Sequence, residues 1–393
     1  MSVVPLVSSV VGHPPSFNEP AWADGLVPEL VPARLPRFEG DGSADVCVIG
    51  LGGSGLSCIH ELLRLGQSVV GLDAGMVGGG AAGRNGGFLL AGAAAFYHDA
   101  VAALGRHRAR SIYQLTLEEM DRIAAEAPDA VRRNGSLRIA GSVVEEEDCQ
   151  LQLAAMLADG FDVTPYEGHE GRGLIFPADG SFNPLARCRL LAQRAVGLGA
   201  SLYELSRATS VEAGVVVTQH GRVSCKHVIV AVDGNLELVL PELVGRVRTT
   251  RLQMLSTGPA PEVHIPRPVY RRWGYDYWQQ LPDGRVVIGG CRDRFAEAEW
   301  TSDASPSVEV QNCLERLLRG TVGVQQPVER RWAASVSYTE SVLPVIEQVR
   351  PGVWAIGGYN GTGNVIGALC GRMVAQLVVK GTSDLMSPFI STA

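Results

Sequence analysis

Apolar and polar residues near the start of the chain follow a strand–helix–strand pattern. The run "ADVCVI" (44–49) has the length and composition of a buried strand. "GSGLSCIHELLRLG" (53–66) repeats apolar residues at helical spacing and ends in a glycine, which commonly terminates a helix. A second apolar run, "SVVGLD" (68–73), follows at once. The pattern predicts a β-α-β unit of about thirty residues.

The same arrangement returns far along the chain. The apolar run 352–356 precedes the glycine-rich "GGYNGTGN" (357–364), and an apolar, helix-like stretch covers 365–379. We expect Asn364 to cap that helix, because asparagine is a favoured N-cap residue. Two strand–turn–helix units thus lie some three hundred residues apart.

The intervening pattern is a mixture of helices and strands. A long helix is predicted from about Phe96 to Ala127, a strand at "SLRIA", a helix at "EEEDCQLQLAAMLADG" and another over 183–200 with its N-cap at Asn183. Several strands are expected over 201–235. A strand-rich, aromatic stretch runs from Pro241 to about Arg331, with a hairpin turning at Pro282–Gly284. Residues 1–40 are Pro-rich and are interpreted as an arm lying on the surface.

Composition narrows the class of protein. The 393 residues, 46% of them hydrophobic, suffice for a large core and two domains. A net charge of -7 without a basic cluster argues against nucleic-acid binding. The eight cysteines form no C-x-x-C pair and the histidines show no ligand spacing, so we expect reduced core thiols and no metal site. No leader or membrane span is evident, which makes a cytoplasmic protein the expectation.

The first glycine turn has the spacing of a dinucleotide-binding motif. Gly50, Gly52 and Gly55 form G-x-G-x-x-G between a predicted strand and helix. These glycines permit the tight turn, the approach of a diphosphate and close helix–strand packing, while the helix N-terminus faces the phosphates. Asp73 ends the second strand, where a carboxylate accepts the ribose hydroxyls. A purely structural glycine turn is the alternative, and it leaves Asp73 unexplained.

The second glycine turn favours FAD over NAD. An NAD domain would continue with serial strand–helix units, whereas this chain leaves through "GGGAAGRNGG" (78–87) into long helices. A second helix N-terminus near 357–364 would stabilise the negative charge that a reduced flavin ring carries. An ordinary glycine-rich loop is the alternative for 357–364.

Three segments carry a family resemblance. "DVCVIGLGGSGLS", "VGGGAAGRNGG" and "GVWAIGGYNGTGNVIGALCGR" resemble the D-amino-acid-oxidase superfamily of FAD enzymes, and within it the γ-glutamylputrescine oxidase-like amine oxidases. The resemblance implies an α/β fold with a glutathione-reductase-type FAD-binding Rossmann domain and an α+β substrate domain containing an antiparallel sheet and long helices. It places the FAD-binding domain at 41–95, 165–235 and 330–385, the substrate domain at 96–164 and 236–329, and the Pro-rich arm at 1–40.

The resemblance also implies the residues that bind FAD. They come from the two glycine turns, the second strand and the "GRNGG" run, with Val211 as a weaker candidate for the adenine: Gly50, Gly52, Gly53, Ser54, Gly55, Asp73, Ala74, Arg84, Asn85, Gly86, Gly87, Val211, Gly358, Tyr359, Gly361, Thr362, Gly363 and Asn364.

Departures from the family pattern bear on the substrate. Val336 stands where amino-acid oxidases place an arginine that binds the substrate carboxylate, and valine cannot do so. This favours an amine without an α-carboxylate. The cysteine that tethers flavin in sarcosine oxidase would also fall at Val336, so FAD is expected to be non-covalent. Sarcosine oxidase-like enzymes use a lysine to promote oxygen reduction, but the two lysines here, Lys226 and Lys380, fall elsewhere.

The aromatic hairpin is the predicted substrate pocket. Its rings could cage an ammonium group or pack an alkyl chain, although packing between strands is the alternative for each of them. Arg292 and Arg294 could bind an anionic substrate end or be solvated surface charges, and His264 could assist oxygen chemistry. The candidate catalytic residues are Tyr275, Tyr277, Trp278, Arg292 and Tyr338, with Tyr270 and Glu340 nearby.

The predicted reaction is oxidation of an amine C–N bond. Hydride would pass to flavin N5, water would hydrolyse the imine, and O2 or another acceptor would re-oxidise the flavin. The alternatives are an amino-acid oxidase of the glycine, sarcosine or D-amino-acid type, a flavin-dependent dehydrogenase, and a flavin-binding subunit without catalysis. The sequence leaves the oligomeric state open.

Overall fold

A mixed eight-stranded sheet, with five parallel strands and three helices over one face, forms one half of the molecule. The computed structural model describes residues 16–25 and 34–390. The helices in the described residues are α1 (Gly53–Arg64), α2 (Tyr97–Leu104), α3 (Arg106–Glu126), α4 (Val143–Ala158), α5 (Pro184–Gly197), α6 (Leu236–Val239), α7 (Ala296–Glu299), α8 (Val308–Leu317) and α9 (Ile366–Lys380). The first strands are β1 (Ser16–Phe17), β2 (Gly40–Ile49), β3 (Val69–Leu72), β4 (Phe88–Leu89), β5 (Val131–Arg132), β6 (Ser136–Ile139), β7 (Thr164–Gly168), β8 (Gly171–Phe176), β9 (Gly180–Phe182) and β10 (Ser201–Tyr203). The later ones are β11 (Ala208–Glu212), β12 (Val215–Thr218), β13 (Gly221–Val230), β14 (Arg248–Pro259), β15 (Val269–Arg271), β16 (Asp276–Gln280), β17 (Arg285–Gly290), β18 (Val328–Tyr338), β19 (Val345–Arg350) and β20 (Val353–Gly357).

Strands β10, β3, β2, β13 and β20 are parallel to one another. Towards their carboxyl ends, these strands carry buried apolar side chains that pack into cores on both faces, as expected of parallel strands that are covered on both sides. Helix α1 packs against α5 and α9 over one face, where Leu56, Ile59 and Met373 are fully buried. The carboxyl ends of β2, β3, β13 and β20 therefore lie at one edge, where ligands bind in open α/β sheets.

A nine-stranded mixed sheet forms the other half. Its order is β1-β18-β14-β17-β16-β15-β6-β8-β7, and most neighbours are antiparallel. Strand β14 pairs with β18 from Arg248↔Tyr338 to Thr257↔Val328, and the hairpin β16–β17 extends the sheet. Helix α8 covers one face through Val310, Cys313 and Leu314. The opposite face is free to line a cavity.

The predicted first unit is confirmed, with adjusted boundaries. Strand β2 begins four residues earlier than expected and α1 ends at Arg64. Asn183 caps α5, since its side chain accepts a hydrogen bond from the backbone N–H of Ala186 at 3.0 Å. The hairpin turn at Pro282–Gly284 is also present.

Two helix predictions are wrong in detail. The stretch 96–127 is two helices, because Gly105 adopts a φ of +80° and ends α2 before α3 begins. Asn364 does not cap α9, whose N-cap is Val365 without a side-chain hydrogen bond. The amide of Asn364 is instead engaged by another loop, as described below.

The N-terminal arm is not simply a surface segment. Residues 1–15 and 26–33 lie outside the described residues, but in the described part Ala21 and Trp22 are 0% and 2% exposed. Trp22 packs with Leu185, Met254 and Trp332. The apolar pair lay within a Pro-rich stretch without periodicity, so the sequence pattern did not indicate its burial.

The sheets divide the chain differently from the expected domain boundaries. The hairpin β7–β8 (within 164–176) and strand β18 belong to the nine-stranded sheet, although 165–235 and 330–385 were assigned to the FAD-binding domain. Both segments pair with substrate-domain strands, which single-strand periodicity cannot reveal.

The thiols agree with the sequence expectation. All eight cysteines are free; seven are buried and Cys225 is partly buried. Within the residues described, no helix has the length and apolar character needed to span a membrane.

Candidate functional site

A cavity of about 260 Å³ lies at the carboxyl edge of the parallel sheet. We call it the strand-end cavity. It is lined by the first glycine turn, the ends of β3 and β13, and the start of α5. The predicted cofactor residues among its lining are Gly50, Gly52, Gly53, Ser54, Asp73, Ala74, Asn85, Tyr359, Gly361, Gly363 and Asn364.

The first glycine turn has the geometry that the motif requires. Gly50 has a φ of +105°, and a Cβ there would stand 2.6 Å from the carbonyl oxygen of Ala231. A Cβ on Gly55 would stand 1.9 Å from the carbonyl oxygen of Gly50, so only glycine lets α1 approach β2. Helix α1 has no side-chain cap and no acidic residue in its first turn. Its unpaired N–H groups and the positive end of its dipole favour an anion.

Two carboxylates shape this cavity. Asp73 accepts hydrogen bonds from the backbone N–H groups of Leu51 (2.7 Å) and Gly75 (2.8 Å), and burial raises its pKa. Asp233 accepts from the N–H groups of Gly358 (2.9 Å) and Ser337 (3.3 Å). Burial raises the pKa of Asp233 to about 6, although these hydrogen bonds oppose the shift. Asp233 thus ties the second glycine turn to the end of β13.

A reciprocal pair of asparagine amides joins the two glycine-rich segments. Asn85 Nδ2 donates to Asn364 Oδ1, and Asn364 Nδ2 donates to Asn85 Oδ1, both at 3.0 Å. Asn364 also donates to the carbonyl of Phe88 at 2.9 Å, while Asn85 donates to Ala81 and Ala82. This pairing explains why Asn364 is not available to cap α9.

Arg84 connects the site to the surrounding strands through hydrogen bonds. Its Nε donates to the carbonyl of Ala333 at 2.9 Å, and its Nη2 donates to the carbonyl and side-chain oxygens of Asn18. Trp332 donates from Nε1 to the carbonyl of Arg84 at 2.7 Å. The Arg84 guanidinium therefore links the "GRNGG" run to β18 and to the N-terminal segment.

A second cavity, of about 400 Å³, lies over the nine-stranded sheet. We call it the aromatic cavity, after the rings of Tyr270, Tyr275, Tyr277 and Tyr338 that line it. Burial raises the pKa of Tyr270 to about 12 and raises those of Tyr277 and Tyr338, with Arg292 opposing the shift at Tyr338. These phenols are therefore neutral donors and apolar surfaces near neutral pH. Arg84, Gly86, Thr362 and Arg292 line the same cavity.

Besides Arg84, two further guanidinium groups give the aromatic cavity a positive character. Arg292 lies over the rings of Tyr338 at 4.7 Å and Trp300 at 5.4 Å. Arg138 lies over Phe96 at 4.2 Å and donates to Gln152 at 2.7 Å. Among the residues described, neither forms an ion pair with a carboxylate. The carboxylate in the lining is Glu340, which is exposed.

Several predicted residues do not reach either cavity. Gly55, Gly87 and Gly358 lie beside the lining and shape its turns, whereas Val211 and Trp278 lie in apolar cores. Trp278 points to the opposite face of β16 from Tyr277, because alternate residues of a strand face opposite sides. Arg207 and Ala208 line the strand-end cavity instead of Val211. His264 is exposed and outside both linings, as are Lys226 and Lys380.

The two cavities form one elongated site. Both are lined by Ala81, Asn85, Val336, Gly361 and Asn364. This shape would accommodate an extended group with a diphosphate; the start of α1 is the candidate to hold the phosphates, and Asn85, Val336 and the second glycine turn are the candidates to border a flat ring. The glycine cradle, the uncapped N–H groups at the start of α1 and the buried carboxylates at the strand ends therefore fit FAD.

The DAO family, described as FAD dependent oxidoreductase, matches residues 45–377 of this chain. The chain belongs to that family, and FAD is its cofactor. It is 28% identical to a probable oxidoreductase OrdL of Rhizobium meliloti (strain 1021), over 93% of this chain and 89% of the relative. It is 27% identical to the gamma-glutamylputrescine oxidoreductase of Escherichia coli (strain K12), over 88% of this chain and 86% of the relative.

Solved structures share the fold. Glycine oxidase from Geobacillus kaustophilus superposes with a TM-score of 0.72 at 19% identity, covering 90% of this chain and 99% of that protein. L-proline dehydrogenase from P. horikoshii gives a TM-score of 0.70 at 19% identity, covering 89% and 96%. At this identity, the likeness concerns the fold alone.

Sequence reasoning missed several polar residues of the site, among them Asp233, Arg187 and Arg138. Asp233 follows a buried strand in "VIVAVDG", and a carboxylate at a strand end was a usable signal. Arg187 lies within an amphipathic helix and Arg138 within a short strand, where each resembles an ordinary surface charge. Only the folded arrangement brings them to the cavities.

Proposed function

We propose that this FAD-dependent oxidoreductase oxidises the C–N bond of an amine that carries an anionic group at a distance from the reacting carbon. The supporting observation is Arg292, an arginine stacked on aromatic rings in the aromatic cavity with no carboxylate partner among the described residues. A guanidinium in such a place binds a carboxylate or phosphate well.

The position of Val336 supports the distance between the two groups. Val336 lies on β18 where the two cavities meet, next to the expected flavin ring. It offers no charge to a carboxylate on the reacting carbon, whereas Arg292 lies at the aromatic end. The Escherichia coli relative is named for gamma-glutamylputrescine, an amine joined to a glutamyl group.

The reaction balances as a two-electron oxidation. The CH–NH or CH–NH2 group loses two electrons and two protons to become an imine, and water then converts the imine into a carbonyl compound and, respectively, an amine or ammonia. FAD, when bound, accepts the hydride. The side chains of Tyr275, Tyr277 and Tyr338 would pack around the substrate and exclude water, while Arg292 would hold its anionic end.

The test compares matched amines with and without a terminal carboxylate. Under anaerobic conditions, amines with the carboxylate should bleach the flavin at lower concentration in the native enzyme. Arg292→Gln should raise that concentration roughly tenfold to a hundredfold for carboxylated amines and leave uncharged analogues unchanged, because a hydrogen bond to a charged group is lost. Arg294→Gln is the matched control, since Arg294 is exposed and outside the cavity. An equal effect of Arg292→Gln on both kinds of amine would refute the role.

Oxidation of an α-amino acid is the second candidate. Arg292 and Arg138 are cations in the cavity that could replace the arginine absent at position 336. The same bleaching screen separates the candidates: preference for glycine, sarcosine or D-amino acids over amines would reverse the order.

We propose O2 as the electron acceptor, which would be reduced to H2O2. Neither lysine reaches the cavities, so positive charge near the ring would come from Arg84 and the N-terminus of α9. Stopped-flow mixing of reduced enzyme with O2 tests this. Re-oxidation no faster than that of free flavin would identify a dehydrogenase with another acceptor.

A further inference from the structure

Arg187 is a buried arginine at the diphosphate end of the site. It lies in the first turn of α5, and its side chain is 3% exposed. It lines the strand-end cavity together with Gly52 and Gly53. Its Nη1 lies 3.3 Å from the point where a Cβ on Gly53 would stand. The guanidinium therefore reaches the start of α1.

The hydrogen bonds of Arg187 leave part of the guanidinium unsatisfied. Nη2 donates to Ser57 Oγ and to Glu126 Oε2, both at 3.2 Å. Nε is buried and has no partner, and no hydrogen bond of Nη1 is formed within the residues described. Buried polar groups are rarely left without partners, so an acceptor is missing from this arrangement.

Glu126 does not neutralise Arg187 alone. Glu126 also accepts a hydrogen bond from Arg372 Nη2, and Arg372 Nε donates to Glu119 at 2.9 Å. Glu126 is thus shared between two arginines. Its pKa lies below the usual range because the two arginines outweigh its burial.

The open guanidinium edge and the N-terminus of α1 face the same space. The first-turn N–H groups of α1 have no side-chain cap, and the dipole of this twelve-residue helix adds positive potential. We propose that Arg187 binds the diphosphate of FAD together with the N-terminus of α1.

Substitutions of Arg187 and of Glu126 should have different effects on FAD affinity, and this difference distinguishes diphosphate binding from a purely structural ion pair. If Arg187 binds the diphosphate, Arg187→Gln weakens FAD binding, whereas Glu126→Gln leaves it equal or tighter because Arg187 is freed from a competing anion. If the pair is only structural, both changes disturb the cavity and both weaken binding.

The experiment titrates apoprotein variants with FAD and follows the quenching of flavin fluorescence. Arg187→Gln should raise the dissociation constant roughly tenfold to a hundredfold, the range expected for losing a hydrogen bond to a charged group. Arg187→Gln should also weaken the binding of ADP, measured by its competition with FAD. It should leave the binding of adenosine, which has no phosphate, unchanged. Arg189→Gln, two residues along α5 and outside the lining, should match the native protein.

Three outcomes would overturn the proposal: native FAD affinity in Arg187→Gln, an equal loss for adenosine and ADP, or weakened binding in Glu126→Gln. If Arg187→Gln does not fold, the Arg187→Gln/Glu126→Gln double variant gives the same test, because it leaves no single charge unpaired at this contact. The readout is cofactor affinity without substrate, so it is independent of the substrate proposed above.

Discussion

Single buried carboxylates hold the loops around this site. Asp179 accepts hydrogen bonds from the N–H of Ala91 (3.0 Å) and from Ser136 Oγ (2.6 Å), and so joins the loop after β4 to β6. Asp233 likewise accepts a hydrogen bond from the N–H of Gly358 and so holds the second glycine turn. Burial raises the pKa of each to about 6, so each carboxylate ionises in the folded protein only as the pH approaches neutrality.

Asp179→Asn tests the consequence for stability. The unfolded chain ionises this group near pH 4, whereas the folded protein keeps its proton until about pH 6. Between these values the folded state binds more protons, so the native protein loses stability as the pH rises. Relative to Asp179→Asn, we expect a loss of roughly 2 kcal/mol between pH 4 and pH 7. Urea unfolding of both proteins across that range measures it.

Asp129→Asn provides the control, because Asp129 is exposed. A constant stability difference between the native protein and Asp179→Asn at every pH would show that Asp179 does not titrate in this range.

Residues whose role depends on local geometry were predictable. Gly50 is required by its positive φ, Gly55 by its contact with the carbonyl oxygen of Gly50, and Asp73 by its place at the end of a strand. Arg187 is held by Glu126, which is 61 residues away in the chain, and Asp233 binds Gly358, which is 125 residues away. The position of Asp233 at the end of a strand is a local signal of a site residue, but the sequence holds no local sign of the partners of either residue.

At the scale of elements, the N-terminal segment supports the cofactor site. The short β1 pairs with β18, and Arg330 binds Asp24 through two nitrogens at 2.7 and 2.6 Å. Trp22 Nε1 donates to the carbonyl of Asn85 at 2.9 Å. The segment therefore fixes the "GRNGG" run against the nine-stranded sheet.

Replacing Trp22 should affect both stability and FAD binding. Trp22→Ala removes a buried ring and is expected to cost about 3–5 kcal/mol of unfolding free energy. It also frees the Asn85 carbonyl, so FAD should dissociate faster. Denaturant unfolding and the rate of flavin release after dilution measure the two effects.

Trp22→Phe separates packing from hydrogen bonding. Phenylalanine retains most of the buried ring but lacks the indole N–H. We expect it to retain most of the stability while still releasing FAD faster. If Trp22→Phe holds FAD as firmly as the native protein, the hydrogen bond to Asn85 has no part in cofactor retention.

The periodicity of apolar residues predicted the helices and strands themselves better than it predicted which elements pack or pair with one another. Helices α4 and α5 and the β16–β17 hairpin follow directly from local patterns. Strand β18 pairs within the nine-stranded sheet, and periodicity does not predict this, because a buried strand has the same pattern in either sheet. The burial of Trp22 depends on a groove built by distant residues.

At the scale of the whole molecule, the site belongs to both sheets. The strand-end cavity is formed by the parallel sheet and its helices, and the aromatic cavity by the nine-stranded sheet. They meet at Val336 and Asn364. A ligand that fills both cavities should stabilise both halves of the molecule together. A ligand that fills only the strand-end cavity should stabilise only the half that contains the parallel strands.

Hydrogen exchange tests this coupling with FAD and ADP. Both ligands should protect amides around 48–55 and 231–235, which border the strand-end cavity. Only FAD should protect 271–292 and 330–340. At a ligand concentration 100 times the dissociation constant, exchange that requires ligand release should slow by roughly a hundredfold.

FAD and ADP must each be used at the same multiple of their own dissociation constant, so that the protein is equally saturated with either ligand. Protection of 271–292 by ADP equal to that by FAD would mean that the halves are already coupled through the protein alone.

The asparagine pair that spans 279 residues of chain also sets an order of events during synthesis. A ribosome that adds about 5–20 residues per second needs roughly 15–60 seconds to pass from the first glycine turn to the second. Throughout that interval the nascent chain lacks β20, α9 and Asn364, so the central strand β13 has no β20 to pair with. We therefore expect flavin loading to wait for the last part of the polypeptide, and an N-terminal fragment that stops before residue 357 should be colourless.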